Sequence, residues 1–475
     1  MTVGASPQPR EPPHVRMPHG RTQPIDARVA YGYSDARHCA CWVEPSTSCD
    51  IDAYLRPDYA KRLRADGSSR RDRWKWARLL VSNAEASRDA ASVRYESRGK
   101  PFRKRYEMIR LFENYRLGDV VLRNRVVMAP MTRARCVDTI AGADTAEYYR
   151  QRATAGLIVT EGTPISPEAQ GYAYVPGIWS SKQVAGWQTV TDAVHDVGGR
   201  IFAQLWHVGR LSHQSLQPER QRPVGAGAVP ANDCMTFAFT DEGTVGFVNV
   251  AEPRPLSTEE VGRVTRDFVR GAANAREASF DGVELHGANG YLFEQFLNPS
   301  TNTRTDRYGG SIQNRARFLL ETVDRVSEVN GSTRVGIRLS PFSDLFDMPA
   351  YAEAADTYLY LASELSRRDL AYVHLIDQLP GGDRIVGDDF LVPFRAEYGG
   401  TIILAGGMTR DLAGDLTERG LIDLAAFGQP FIANPDLVER MQNGWPQTTP
   451  DRDSYYGGAG AEGYLDYPRF DPATV

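Results

Sequence analysis

The most constraining feature of this sequence is a repeated alternation, after Met108, of apolar strand-like runs and amphipathic stretches. Eight runs have the length of strands and are almost continuously apolar, as strands covered on both faces must be. They span 125–130, 156–161, 200–207, 282–286, 334–339, 370–376, 401–405 and 422–427. Eight such units over roughly 350 residues predict a (β/α)8 TIM barrel with insertions.

The stretches between these runs carry helical signals. Apolar residues recur every three or four positions, and serine or threonine precedes two stretches as an N-terminal cap. The apolar stripes are Leu319, Val323 and Val326 in one stretch and Tyr358, Leu361, Ala362 and Leu365 in another. The caps are Ser180-Ser181 and Ser257-Thr258, the second with Glu260. Before the first run, 115–117 and 120–122 flank Gly118-Asp119, which predicts a β-hairpin that plugs the N-terminal end of the barrel.

The first 107 residues differ from the rest in composition. They hold 21 of the 55 Lys and Arg and 13 of the 60 Asp and Glu, so they carry +8 and residues 108–475 carry −13. Their high content of Arg, Pro and Ser predicts a basic, disordered extension. Because Met108 reads as a natural start, they could instead be a segment outside the functional protein. The cluster His38, Cys39, Cys41 and Cys49 matches no zinc spacing. A solvated tail is favoured over a nucleic-acid contact or a transit peptide.

Residues 108–475 are predicted to form one barrel domain. Only Cys136 and Cys234 fall within it, which argues against a disulfide framework and favours a reducing, cytoplasmic compartment. No apolar run approaches the ~20 residues that span a bilayer. We therefore expect no membrane or nucleic-acid partner and no metal site, and a monomer or homodimer.

Candidate catalytic residues follow the fourth run, in the sequence GVELHGANGYLFEQF. If the chain turns helically there, His286 and Asn289 share a face and can donate hydrogen bonds to one oxygen, as in an oxyanion hole. Tyr291 adds a phenol whose usual pKa, near ~10, keeps it protonated at neutral pH. Such a set suits chemistry on an activated C=C–C=O system. The alternative is a buried histidine with an asparagine that caps a helix.

Polar and glycine residues end the other runs, and all of them are expected on the C-terminal rim, where barrel enzymes place their sites. Thr132, Gly162, Gln204 and Arg338 follow or lie in runs one, two, three and five. Gly406-Gly407 and Gly428-Gln429 follow runs seven and eight, the usual phosphate-binding place, with a helix start expected at Asn434-Pro435.

Long stretches of the chain resemble the Old Yellow Enzymes, FMN-dependent ene-reductases. The resemblance runs from about Leu111 to Pro468 and leaves residues 1–107 without a counterpart. It is carried by LFENYRLGDVVLRNRVVMAPMTRAR, YYRQRATAGLIVTEGTPIS, GGRIFAQLWHVGR, ELHGANGYLFEQFLNPSTNTRTDRYGGS, VGIRLSP, GGMTR and FGQPFIANPDLVERM.

The resemblance implies a role for each matching residue. His286 and Asn289 match the pair that holds the substrate oxygen, Tyr291 matches the proton donor, and Tyr172 and Tyr456 match aromatic residues of the substrate cavity. The matching FMN contacts are Pro130, Met131, Thr132, Gly162 (backbone), Gln204, Arg338, Gly406, Gly407, Gly428 and Gln429. Thr132 matches the contact to the flavin C4 carbonyl, and Arg338 matches the charge near N1 and the C2 carbonyl.

The chain departs from the family pattern at Gln429. The family usually has Gly-Arg-Pro-Phe there, with the arginine on the flavin phosphate, whereas this chain has Gly428-Gln429-Pro430-Phe431. Loss of a charge-assisted contact predicts FMN binding weaker by ~1.5–3 kcal/mol. Arg410, after the seventh run, could supply the missing charge.

The implied activity is reduction of an activated alkene, an α,β-unsaturated carbonyl compound or similar small molecule. NADPH or NADH reduces FMN, the flavin N5 delivers hydride to Cβ, and Tyr291 protonates Cα. Three alternatives stay open. Replacement of the proton-donor tyrosine would favour a flavin isomerase, but Tyr291 is present. A dienoyl-CoA reductase would add an iron–sulfur site, and the missing cysteine cluster disfavours it. A non-catalytic interaction protein would be colourless.

Overall fold

A computed structural model describes residues 110–377, 384–457 and 460–474. The predictions for residues 1–107 lie outside the described residues. Within the described ranges, no helix has the length and apolar character needed to cross a membrane.

Eight parallel strands close into a barrel, which confirms the predicted fold class. Each of the eight runs read from the sequence overlaps one barrel strand. In chain order the strands are β1 (Tyr115–Leu117), β2 (Val120–Leu122), β3 (Val126–Met128), β4 (Leu157–Pro164), β5 (Ile201–Trp206), β6 (Val224–Gly225), β7 (Met235–Phe239), β8 (Val245–Asn249), β9 (Arg254–Pro255), β10 (Gly282–Gly287), β11 (Val335–Leu339), β12 (Tyr372–Ile376), β13 (Ile402–Ala405) and β14 (Leu424–Phe427). The order of the strands around the barrel is β10-β11-β12-β13-β14-β3-β4-β5.

The strands β1 and β2 form the predicted antiparallel hairpin at the N-terminal end of the barrel. Leu117 and Leu122 are fully buried, and they belong to one apolar cluster with Val127, Phe202 and Ile403 of the barrel strands. This packing closes the lower end of the barrel interior, so the open end is the rim where the strands terminate.

Helices follow the barrel strands and bury their apolar stripes. The helices are α1 (Ala143–Gln151), α2 (Ser181–His195), α3 (Thr258–Glu277), α4 (Leu292–Leu297), α5 (Ile312–Asn330), α6 (Ala354–Ser366), α7 (Asp388–Glu397), α8 (Arg410–Glu418), α9 (Gln429–Ala433) and α10 (Leu437–Asn443). Ser180 and Ser257 cap α2 and α3 through capping boxes, as predicted. The predicted stripes of α5 and α6 are buried.

The segment between β5 and α3 contains structure that the sequence did not suggest. The strands β7 and β8 pair as an antiparallel hairpin in register from Met235–Asn249 to Phe239–Val245. Phe237 and Ala238 of this hairpin are buried in a cluster with Trp206 and Tyr291. The hairpin therefore forms part of the wall above the rim.

Candidate active site

The strand β10 carries His286 to the C-terminal rim. Val283 and Leu285 pack outward in the cluster that lies between strands and helices, so Glu284 and His286 face the barrel interior. The predicted helical turn after His286 is wrong. Asn289 has a φ of 58°, in the left-handed region, and α4 begins only at Leu292, with Tyr291 as its N-cap.

Trp206, at the end of β5, gathers three of the predicted residues. Its ring centroid lies 6.1 Å from that of His286, 4.9 Å from that of Tyr291 and 5.5 Å from that of Tyr172. The hydroxyl oxygens of Tyr172 and Tyr291 are 3.5 Å apart. Gly162 allows the indole to lie this close to β4, because a Cβ there would be 2.4 Å from the Trp206 ring. Trp206 is a functional candidate that the sequence interpretation missed.

His286 is neutral in this environment. Burial, followed by the positive charge of Arg338, holds the pKa of the imidazole well below its usual 6.5. A neutral imidazole has one N–H to donate. Within the described part of the chain, Nδ1 of His286 and Oδ1 of Asn289 are buried without a hydrogen-bond partner. Buried polar atoms of this kind are rare unless a ligand or water satisfies them.

Below His286, the buried carboxylate of Glu284 joins a side chain of the adjacent strand β5 to one of β12, two strands away on the other side. Oε1 of Glu284 accepts a hydrogen bond from Nε2 of Gln204 at 2.7 Å, and Oε2 lies 2.8 Å from Nδ1 of His374. Glu284 and His374 are both fully buried. Arg338 lies beside both His286 and His374 in the strand register, and its Nε has no partner among the described residues.

A second buried carboxylate fixes the turn at Asn289. The Asn289 N–H donates to Oγ of Ser340 at 2.8 Å, so the Ser340 hydroxyl is directed to donate to Glu294 at 2.8 Å. The Gly290 N–H also donates to Glu294, at 2.6 Å, and the Tyr358 hydroxyl does so at 3.2 Å. Glu294 thereby holds the N–H of Gly290 directly and that of Asn289 through Ser340, and both residues of this turn have a positive φ.

We expect Glu294→Gln to remove one proton-linked contribution to the pH dependence of stability between about pH 5 and pH 7. Burial raises the pKa of Glu294 from 4.5 to about 7, although its three donors oppose the rise. The native state therefore keeps a proton on Glu294 that the unfolded chain releases, and the contribution of this group to stability falls as pH rises through this interval. One such proton gives a slope of up to ~1.4 kcal/mol per pH unit. Urea unfolding at several pH values measures it.

The control for this prediction is Glu168→Gln. Burial would raise the pKa of Glu168, but His207 and Arg263 lower it to about 2, so this group does not titrate above pH 5. Glu168→Gln should leave the slope in that interval unchanged even where it lowers stability. An equal slope in wild type and Glu294→Gln would contradict the assignment.

The loop 130–134 follows β3 and is held by Glu161. Oε2 of Glu161 accepts the backbone N–H groups of Arg133, at 3.1 Å, and of the next residue, at 3.2 Å. Burial raises the pKa of this carboxyl to about 7. Thr132, Pro130 and Met131 remain partly exposed on the rim, where the flavin contacts were predicted.

Arg133 ties the C-terminal segment to the same loop. This fully buried guanidinium donates to the carbonyl oxygens of Tyr455 at 2.9 Å, Ser454 at 3.2 Å and Gly463 at 2.8 Å. The segment that carries Tyr456 is thus anchored directly after Thr132. Arg133 was not singled out in the sequence, because nothing in its local pattern distinguishes it from a surface arginine.

Glycines follow β13 and β14 on the rim. Gly406 has a φ of 105°, and a Cβ on it would lie 2.2 Å from the carbonyl oxygen of Asp377. Gly407 has a φ of 55°, is exposed, and has open space at its Cβ position. Gly428 is the N-cap of α9, which exposed Gln429 begins.

The expected helix start at Asn434-Pro435 is wrong. Asn434 is the C-cap of the short helix α9, and α10 begins at Leu437 after Asp436. The side chain of Asn434 instead holds the loop by donating to the carbonyl oxygen of Thr448 at 2.9 Å.

A family model for the NADH:flavin oxidoreductase / NADH oxidase family matches residues 110–448. The chain belongs to this family. Among relatives of this Old Yellow Enzyme, 12-oxophytodienoate reductase 2 of Arabidopsis thaliana is 40% identical over 373 residues, which cover 77% of this chain and 97% of the relative. 12-Oxophytodienoate reductase 1 of Oryza sativa subsp. japonica is 41% identical over 365 residues, 76% of this chain and 93% of the relative.

Solved structures agree with this assignment. Morphinone reductase in complex with tetrahydroNAD is 46% identical, with a TM-score of 0.74, and the match covers 77% of this chain and 99% of that chain. The resemblance to Old Yellow Enzymes and the flavin-dependent oxidoreductase function are thereby confirmed, with FMN as the cofactor.

The rim of the barrel fits FMN. Nε of Arg338 is buried without a partner among the described residues, and Gly407 leaves room for close approach of an anion to the backbone. Gln429, which departs from the family pattern, is uncharged where the family usually has an arginine.

Proposed function

We propose that this Old Yellow Enzyme reduces the C=C bond of an α,β-unsaturated carbonyl compound or a similarly activated alkene, with NADPH or NADH as hydride donor. The observation that carries the proposal is the grouping on the rim of neutral His286, whose buried Nδ1 has no partner among the described residues, with the amide of Asn289 and the phenol of Tyr291. Bound FMN supplies the two-electron step, taking hydride from the nicotinamide and passing it to Cβ of the alkene.

His286 and Asn289 hold the substrate oxygen. Charge builds on that oxygen when hydride reaches Cβ, and N–H donors aimed at it stabilise the transition state more than the ground state. Because burial and Arg338 keep His286 neutral, the imidazole acts as a hydrogen-bond donor and not as an acid at neutral pH. The Glu294–Ser340 pair holds the turn that presents Asn289.

Tyr291 protonates Cα to complete the saturated product. Its ring packs edge-on against Trp206 and His286, with centroids 4.9 Å away in both cases, which fixes the phenol next to the oxygen-binding pair. We place Tyr172 and Tyr456 in the wall of the same cavity. A flavin isomerase needs no such proton donor, so the presence of Tyr291 favours net reduction.

At the flavin, we assign Thr132, with Pro130 and Met131, to the C4 side and Gly162 with Gln204 to the pyrimidine edge. Arg338 places a positive charge near N1 and C2, where it favours the more negatively charged reduced form. Gly406, Gly407, Gly428 and Gln429 form the phosphate end.

Absorbance spectra of the purified protein test the proposal. Purified protein should be yellow, bleach with NADPH or NADH in the absence of oxygen, and regain its absorbance when an enone is added. Loss of one equivalent of enone and gain of saturated ketone complete the test. A protein that takes up no FMN would contradict the proposed flavin site. A flavoprotein that bleaches but is not reoxidised by any enone would contradict the proposed substrate class. Comparing the bleaching rates with NADPH and NADH gives the donor preference.

We expect Gln429→Arg to tighten FMN binding by about one to two decades, which corresponds to the ~1.5–3 kcal/mol of a charge-assisted hydrogen bond. Gln429 is exposed at the first position of α9, so an arginine there has room to reach the phosphate. Fluorescence titration of flavin-free protein measures the affinity. Riboflavin, which lacks the phosphate, is the matched ligand and should bind both proteins equally.

Arg410 provides the internal comparison for Gln429. It begins α8 just after Gly407, its guanidinium lies over the ring of Phe112 at 5.9 Å, and its buried Nε has no partner among the described residues. If Arg410 supplies the missing charge, Arg410→Gln weakens FMN binding and Gln429→Arg restores it. Equal FMN affinities in wild type and Gln429→Arg would show that glutamine in place of the family arginine does not weaken FMN binding.

A further inference from the structure

We infer that Glu284 is a positioning residue for the flavin: it orients the amide of Gln204, and its negative charge opposes that of Arg338 in setting the reduction potential. The inference rests on the flavin position proposed above. Glu284 lies one inward position below His286 on β10, so we assign it no direct contact with the substrate.

The first step is the orientation of the Gln204 amide. An amide can present either its oxygen or its nitrogen in a given direction. Because a carboxylate only accepts hydrogen bonds, the contact from Nε2 of Gln204 to Oε1 of Glu284 at 2.7 Å directs the nitrogen downward. The oxygen of Gln204 is left for an N–H donor above, which is what the edge of a flavin pyrimidine ring offers.

The second step is the state of the carboxyl group. Burial would raise the pKa of Glu284, but the hydrogen bonds from His374 and Gln204 and the positive charge of Arg338 lower it, so the group is ionised at neutral pH. Burial and Arg338 lower the pKa of His374 despite the carboxylate, so this imidazole is neutral and donates its Nδ1 proton to Glu284. The barrel interior thus holds one negative charge and one positive charge near the flavin site.

The third step is the effect of that pair on the flavin. Both oxygens of Glu284 are engaged by Gln204 and His374, and Nε of Arg338 has no partner within the described residues. Arg338 therefore keeps hydrogen-bonding capacity for a ligand while its field is partly offset by Glu284. A buried charge acts over several ångströms because screening inside the barrel is weak. Reduction adds negative charge to the flavin, so the carboxylate disfavours the reduced form.

Two substitutions in the FMN-bound enzyme separate charge from orientation. Glu284→Gln removes the charge and keeps the length of the side chain. It should raise the midpoint potential of bound FMN by about 30 mV, which is a tenfold change in the relative affinity for the reduced form of a two-electron couple. Glu284→Asp keeps the charge but shortens the reach to Gln204. It should weaken FMN binding severalfold and leave the potential at the wild-type value.

A double-mutant cycle tests whether Glu284 acts through Gln204. In a Gln204→Met background, the loss of FMN affinity caused by Glu284→Asp should disappear, since there is no amide left to orient. A loss that persists in full shows a merely structural role and overturns the orienting part. A wild-type potential in Glu284→Gln overturns the charge part.

Failure of this inference is distinguishable from failure of the flavin site. If the wild-type protein binds no FMN, the proposed flavin site is wrong. If FMN binds, but Glu284→Gln leaves its potential unchanged and the effects of the Glu284 and Gln204 substitutions on FMN affinity are additive, only the role of Glu284 is wrong. Should Glu284→Gln not fold, Glu284→Asp decides alone: reduced FMN affinity at an unchanged potential supports the inference, and a shifted potential overturns it.

Discussion

Replacing Tyr291 with phenylalanine is expected to slow alkene reduction by about 10²–10⁴-fold, the usual contribution of general acid catalysis. Reduction of the flavin by NADPH should keep its wild-type rate, because that half of the cycle needs no proton from the phenol. The two half-reactions are measured separately by stopped flow, as bleaching of the flavin absorbance by NADPH and its return after an enone is added.

The geometry explains why the effect should be confined to one half-reaction. Phenylalanine keeps the packing of the ring against Trp206, His286 and Phe346, whose centroids lie 4.9, 4.9 and 5.8 Å away. Only the hydroxyl is lost, so the cavity should retain its shape and its affinity for NADPH. An alkene rate equal to that of wild type would refute the proton-donor role.

Tyr172→Phe is the matched control for Tyr291→Phe. Its hydroxyl oxygen lies 3.5 Å from that of Tyr291, and its ring stacks on Trp206, so the same atom is deleted in the same cavity. We expect a change of less than about tenfold, the cost of one weakened hydrogen bond. If both variants lose the same large factor, proton delivery is shared between the two phenols.

The barrel was readable from the sequence because its strands are buried on both faces. A run such as IFAQLW in β5 is apolar at every position except Gln204, and that exception marks the site. The capping boxes at Ser180 and Ser257 were also readable, since they depend on residues only three positions apart. Local rules predict local structure.

The rest depends on contacts between residues far apart in the chain. Asn289 adopts a left-handed turn because Ser340, 51 residues away, accepts its N–H. A helical reading of the HxxN spacing could not anticipate this. Glu284, in contrast, was missed although the sequence contained the signal for it. It shares the inward face of β10 with His286, two positions on, and that alternation was available in the sequence.

Gly406→Ala is expected to lower the free energy of unfolding by roughly 2–5 kcal/mol, the sum of overpacking and left-handed strain. The new Cβ would lie 2.2 Å from the carbonyl oxygen and 2.6 Å from the carbonyl carbon of Asp377, both backbone atoms that cannot swing aside. Asp377 is itself held, because its N–H donates to the carbonyl oxygen of Ala405 at 2.8 Å. Urea unfolding of flavin-free protein measures the effect without the linked stabilisation by FMN.

Gly407→Ala distinguishes this strain from a role in phosphate binding. No heavy atom lies within 4 Å of its Cβ position and its φ of 55° is in the left-handed helical region, so it should cost only about 1–2 kcal/mol. Its Cβ would occupy space next to the backbone where the phosphate is proposed to lie. We therefore expect Gly407→Ala to weaken the binding of FMN but not of riboflavin. Equal losses for the two flavins would place the phosphate elsewhere, and a Gly406→Ala protein as stable as Gly407→Ala would show that β12 and β13 can separate at the rim.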